Sequence, residues 1–201
     1  MHARVLPMPL IVAAFALPPA CSSAPPAETA KAEKAKAAPE APVSGKTAFW
    51  EMYKLAYAWA PDVQVLWLRS SGTAKDGTVP LWTAMFVSAN KKSAHEFTYR
   101  AITEDTKRKG VVSGTEQAWG GPTPKGQPFA TADMRTDSDA AYTAAATEVE
   151  KWLKDNPGKE HHMVLGEESK YPAPVWSVYW GDEKKPLAAV VVNASDGKVI
   201  K

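Results

Sequence analysis

The sequence predicts an α+β protein made of two tandem helix-plus-antiparallel-sheet units, and three observations lead there. Residues 44–60 and 138–153 carry apolar side chains at helical spacing. Each stretch is followed by short runs rich in Val, Leu, Tyr and Trp that have the character of strands and are separated by turn residues. A tryptophan recurs at a matching place in the two series, Trp82 in the first and Trp176 in the second.

The first unit spans residues 44–103. Ser44 is placed as the N-cap because its hydroxyl can accept from a first-turn amide. Phe49, Trp50, Tyr53, Ala56, Tyr57 and Ala60 then follow helical spacing until Pro61, which lacks the N–H needed to continue. Val63, Val65 and Trp67 alternate with Gln64, Leu66 and Leu68, as in a strand. A polar loop over residues 70–78 leads to a second strand at 81–87. After the turn Asn90-Lys91-Lys92, a third passes through His95, Phe97 and Tyr99.

The second unit spans residues 137–201. Asp137 or Ser138 starts a helix with Ala141, Ala144, Ala145, Val149, Trp152 and Leu153 on its apolar side, and Asn156-Pro157-Gly158 ends it. Strands are expected at 162–165, 175–180 and 187–193, and Asp196-Gly197 makes a tight turn before Val199 and Ile200. Laid over the first unit, Trp176 meets Trp82 and Trp180 meets Phe86. Between the units, residues 104–136 form a Gly/Pro-rich connection with a short strand at Val111 and Val112. Its Trp119 and Phe129 are expected to dock as a lid.

Ahead of the folded part, Met1-His2-Ala3-Arg4 is a short basic start, residues 5–20 are apolar, and Ala20 precedes Cys21, the one cysteine of the chain. The apolar run falls short of the ~20 residues of a spanning helix. The order basic, apolar, small is that of a signal peptide over residues 1–20. Residues 21–43 form an Ala/Pro/Lys/Glu tether, without the large apolar side chains that would offset the entropy of ordering it. The start of the chain resembles a bacterial lipoprotein signal, with Pro18 and Pro19 where Leu and a small residue are usual. That resemblance implies a lipid on Cys21. With Ser22 next, it implies a place on the periplasmic side of the bacterial cell envelope, anchored in the outer membrane.

The closing segment Val192-Asn193-Ala194-Ser195-Asp196-Gly197-Lys198-Val199, with Trp176-Ser177-Val178 before a turn, resembles the PepSY domain. In that family the segment reads valine, aspartate, alanine, two variable positions, glycine, a variable position and valine; Asn193 replaces the aspartate. The resemblance covers residues 138–201 and implies a small helix-plus-antiparallel-sheet module of envelopes and protease propeptides.

Charge and motif content narrow the chemistry. The 24 basic and 22 acidic residues are interspersed, which leaves no basic stripe for nucleic acid. A lone cysteine excludes a disulfide framework and a CxxC site. His161 and His162 would point to opposite faces of a strand and so cannot share one ion; no metal or other cofactor is expected. His95, between polar neighbours, is expected to be exposed. No nucleophile elbow or phosphate loop occurs, so no catalytic residue is assigned. Trp82, Trp176, Trp50 and Trp152 are read as core, while Trp59, Trp67, Trp119 and Trp180 are the candidates for an exposed recognition surface. The reading is a membrane-tethered, non-enzymatic binding or assembly module whose partner is another envelope protein or a peptide. The alternatives are a regulator or inhibitor of an envelope protease, suggested by the PepSY resemblance, and an enzyme with an unfamiliar site.

Overall fold

The computed structural model describes residues 40–71 and 76–201. The signal peptide, Cys21 and the tether as far as Pro39 lie outside the described residues. Helix α1 (Gly45–Trp59) starts at Ser44, whose Oγ accepts from Thr47 N, and stops at Ala60, just before Pro61. Four strands follow: β1 (Gln64–Ser71), β2 (Leu81–Ser88), β3 (Ser93–Arg100) and β4 (Gly110–Ala118). One 3₁₀ turn (Thr131–Asp133) leads to α2 (Ser138–Glu148) and α3 (Glu150–Asp155). The chain ends with β5 (His161–Gly166), β6 (Val175–Asp182), β7 (Lys185–Asn193) and β8 (Val199–Ile200).

The expected pair of tandem helix-plus-sheet units is not what forms. All eight strands join one antiparallel sheet in the order β4-β3-β2-β1-β5-β6-β7-β8. The fusion is made where β1 and β5 pair, with Trp67 opposite Gly166, Leu68 opposite Leu165 and Arg69 opposite Val164. Alternation in a sequence reports the two faces of a strand but not its neighbours. Two meanders that each left their first strand unpaired would expose two rows of backbone N–H and C=O groups, and joining them satisfies both.

Two further expectations are corrected. Residues 104–136 are more than a connection, because β4 runs nine residues along the full length of β3. The part that follows inserts at the bottom of the β1–β5 seam. There Phe129 exchanges backbone hydrogen bonds with Val65, Gln127 N donates to Glu167 O, and the Phe129 side chain is buried in the core. The strand over residues 63–68 also does not alternate throughout. A bulge between Val65 and Trp67 turns Trp67 to the face opposite Val65 and returns Leu68 to the core.

The helices cover one face of the sheet: α1 packs on β1, β2 and β3, and α2 on β6, β7 and β8. At the middle of this face the rings of Trp82 and Trp176, both fully buried, meet edge to face at 6.1 Å. Each indole N–H donates to a carbonyl just before a helix, Trp82 Nε1 to Val43 O at 2.9 Å and Trp176 Nε1 to Thr136 O at 3.0 Å. The starts of α1 and α2 therefore converge above the pair. Asp137 accepts there from Ser44 Oγ at 2.7 Å, from Lys46 N at 2.8 Å and from Ser138 N at 2.7 Å, so one carboxylate serves the first turns of both helices. Ser138 Oγ accepts from Gly45 N and donates to Gly77 O, which ties the approach to β2 into the same knot.

This convergence leaves no room for a side chain at Gly45. A Cβ there would lie 2.9 Å from Trp176 Cη2, 3.2 Å from Trp82 Cη2 and 3.3 Å from Leu68 Cδ2. The indoles are held by their hydrogen bonds and cannot recede. Gly45→Ala is expected to destabilise the fold by about 2 kcal/mol through overpacking, more than the helix propensity it gains. Urea denaturation measures it, and an unchanged midpoint would contradict the close fit.

Candidate functional site

Among the described residues the helices lie on one side, and the other face of the sheet has no helical layer. On its β4–β1 side, Met85, Val87 and Ala94 form a small second cluster, covered by Leu66, Trp67 and Trp119. Trp119 reaches it from beyond β4, where its N–H donates to Lys92 O. Over the β1–β5–β6 seam the face is hollow. A trough of about 440 Å³ has Trp67, Arg69, Val164 and Ser177 among its lining residues, with Lys125, Glu167 and Glu168 at one end and Glu183 at the other. It continues over β6 and β7 into a hollow of about 290 Å³ lined by Tyr179, Ala189 and Val191.

The electrostatics of the trough are mixed. Arg69 lies over the Trp67 ring at 5.3 Å from its centroid, and its Nη2 is 3.3 Å from Glu183 Oε1. Both side chains of that pair are about half exposed, so it adds little to stability. Arg69 Nε is buried and makes no hydrogen bond. Burial pushes the Tyr179 phenol up to about 12, with the Glu183 carboxylate adding to the effect. Glu168 is paired with Lys170 at 3.1 Å. Burial, and then the nearby Asp133, raise the Glu167 carboxyl above the ordinary glutamate range, so a cation brought to this end would relieve it.

The tryptophans named from sequence fall in separate places. Trp180 is 1% exposed and packs with Tyr142 and Trp152, so it is a core residue and no part of a recognition surface. Trp59, half-buried at the end of α1, donates to Glu116 Oε2 and is capped by Lys91. Trp67 and Trp119 share the second face. Trp50, expected in the core, is 46% exposed. His95 is half-buried rather than exposed: Trp59 and Phe97 pack on it, and its Nε2 lies 2.9 Å from Ser113 Oγ.

His161 and His162 do point to opposite faces, as adjacent strand residues must. His162 stacks on Tyr179 on the trough side at 5.5 Å. His161, 3% exposed, stacks on Tyr142 at 4.2 Å beside a hollow of about 300 Å³ bordered by Asp76, Asn156 and Lys159. Among the described residues no group of three His, Cys, Asp or Glu could hold a metal ion.

Sequence reasoning missed Arg69, Val164, Ser177, Tyr179 and Glu183. Ser177 and Tyr179 were legible as alternates of the core residues Trp176 and Val178, but the adjacency of β1 and β5 that makes the trough was not. The chain matches no protein-family model, and no curated protein and no solved structure is significantly similar to it.

Burial, and then the neighbouring His162, hold the His161 imidazole down from 6.5 to about 4, against an opposing pull from Asp76. The unfolded chain therefore binds a proton on His161 between pH 6.5 and 4 that the folded chain does not, and stability falls as pH drops through that window. The loss by pH 4 is expected to be about 3 kcal/mol. His161→Phe should keep the stacking on Tyr142 and flatten that part of the profile. Equal slopes for the two proteins in denaturation at pH 7, 6, 5 and 4 would contradict it.

Proposed function

We propose that this protein is a non-catalytic binding module of the bacterial envelope, tethered through a lipid on Cys21, which holds a lysine- or arginine-bearing segment of another envelope protein in the trough over β1, β5 and β6. The observation that carries the reading is the trough, a concavity on the sheet face without helices where apolar floor and charged rim come together. Trp67 and Val164 offer apolar contact, and Ser177 offers a hydroxyl. Charge complementarity favours a basic partner. Arg69 and Glu183 already face each other, Glu168 has Lys170, and Glu167, with Lys125 at the same end, makes no ion pair among the described residues. The tether fits this role because an Ala/Pro-rich spacer holds a domain off a membrane surface without fixing its orientation.

A photo-crosslinking side chain placed at Val164 in the full chain, in its native envelope, tests the trough. It should capture one defined protein through a segment containing Lys or Arg. The same probe at Lys54 on α1 should not, and Glu167→Lys should lower capture at Val164 at least several-fold. Equal capture from both positions, or indifference to Glu167→Lys, would overturn the assignment. A protease as the captured partner would make the module its regulator.

The anchor is tested separately. Cys21→Ala is expected to abolish metabolic labelling of the chain with a fatty acid and to release it from the membrane fraction. Labelling that survives the substitution would sink the lipoprotein reading.

A further inference from the structure

Helix α1 buries Ala48, Phe49, Met52 and Ala56 against the sheet, and its outward side carries aromatic rings where a solvated face would carry polar groups. Trp50 is 46% exposed and Tyr57 54% exposed, with half-buried Tyr53 between them. Spacings of three and four residues put the three on one row about 10 Å long. Their rings meet in turn, Trp50 with Tyr53 at 5.5 Å and Tyr53 with Tyr57 at 6.2 Å. Lys46 and Lys54 stand beside them at the same spacings. Lys54 is paired with Glu51 at 2.7 Å, and Lys46 Nζ donates to the Arg135 carbonyl. The lysines therefore lend the row apolar stems more than free charge.

We infer that the row of Trp50, Tyr53 and Tyr57 rests in the headgroup layer of the membrane that holds the chain's anchor, an inference that depends on the lipid at Cys21 proposed above. Trp and Tyr join an apolar ring to a polar N–H or O–H, the combination that the bilayer interface takes up. The row is convex and one helix wide, which suits a soft planar surface better than a pocket. The position of the anchor names that surface. Glu40, whose carboxylate accepts from Thr103 N and Oγ1, fixes where the folded part begins. From Cys21 to Glu40 the chain spans at most about 65 Å when fully extended. Such confinement gives an effective concentration on the order of mM. A contact too weak to recruit a free protein therefore suffices to orient a tethered one. The orientation serves the trough. Helix α1 and the trough lie on opposite faces of the sheet, so seating α1 on the bilayer turns the trough away from it, toward a partner.

Spin labelling tests this in the full chain, isolated with its lipid and reconstituted in vesicles of phosphatidylethanolamine and phosphatidylglycerol. The unaltered chain, treated with the same reagent, is the background for Cys21. A nitroxide on Lys54→Cys, between Trp50 and Tyr57, is compared with one on Lys125→Cys, exposed at the end of the trough. The Lys54 label is expected to be at least several-fold less accessible to a water-soluble nickel chelate, relative to oxygen. Tyr57→Ser and, separately, Trp50→Gln should return the Lys54 label to the Lys125 value while the chain stays on the vesicles. Both rings are about half exposed, and an unchanged urea midpoint shows that the fold is kept. Equal accessibility at the two labels, or indifference of the Lys54 label to both substitutions, would overturn the seating with the anchor intact. A chain that does not float with the vesicles would overturn the anchor and the seating together. Protection of the Lys54 label without vesicles, on adding soluble envelope glycan, would assign the row to a sugar and overturn the seating as well.

Discussion

The meeting of Trp82 and Trp176 under the starts of α1 and α2 is the contact on which the remaining architecture depends. Each ring comes from a strand on a different side of the β1–β5 seam, so the pair spans the place where the sheet is joined. Each indole N–H is satisfied by the carbonyl that precedes a helix, which fixes where that helix begins. Asp137 then ties the two beginnings together through Ser44 and Lys46. A buried N–H without a partner would cost roughly 1–3 kcal/mol, so neither helix can slide along the sheet without losing one of these bonds.

Packing both helices around this pair has a consequence on the far side. Two helices gathered on one face leave the opposite face of the sheet covered, among the described residues, in part by Trp119 and the loop through Gly126. The second cluster shields Met85, Val87 and Ala94. The seam beyond it stays hollow because Gly166 contributes no side chain opposite Trp67. The trough is thus a by-product of one-sided helix packing, lined by residues whose core-facing neighbours are the ones that hold the sheet together.

Much of this was readable in the chain. Ser44 as an N-cap, Asp137 at the start of the second helix, the turn at Asn90-Lys91-Lys92 and the opposite faces of His161 and His162 all follow from local chemistry, and each concerns residues a few positions apart. Long-range features were not readable. The bulge at Val65–Trp67 inverted the expected facing of Trp67 and Leu68, because a bulge inserts one residue into a period of two and a single sequence carries no mark of it. Trp180 was misplaced as exposed because its burial depends on Tyr142 and Trp152, which arrive from the helices 38 and 28 positions earlier.

The sequence by itself determined the elements: where helices start and stop, which runs are extended, and which residue types each strand places on alternating sides. These depend on backbone dihedrals, caps and periodicity, which act within a few residues. Only the tertiary structure decided that the strands make one sheet, since hydrogen bonding between β1 and β5 is a choice among edges that look equivalent in the chain. The same choice created the trough, because partners distant in sequence are selected by packing and by the need to satisfy every backbone donor and acceptor at once.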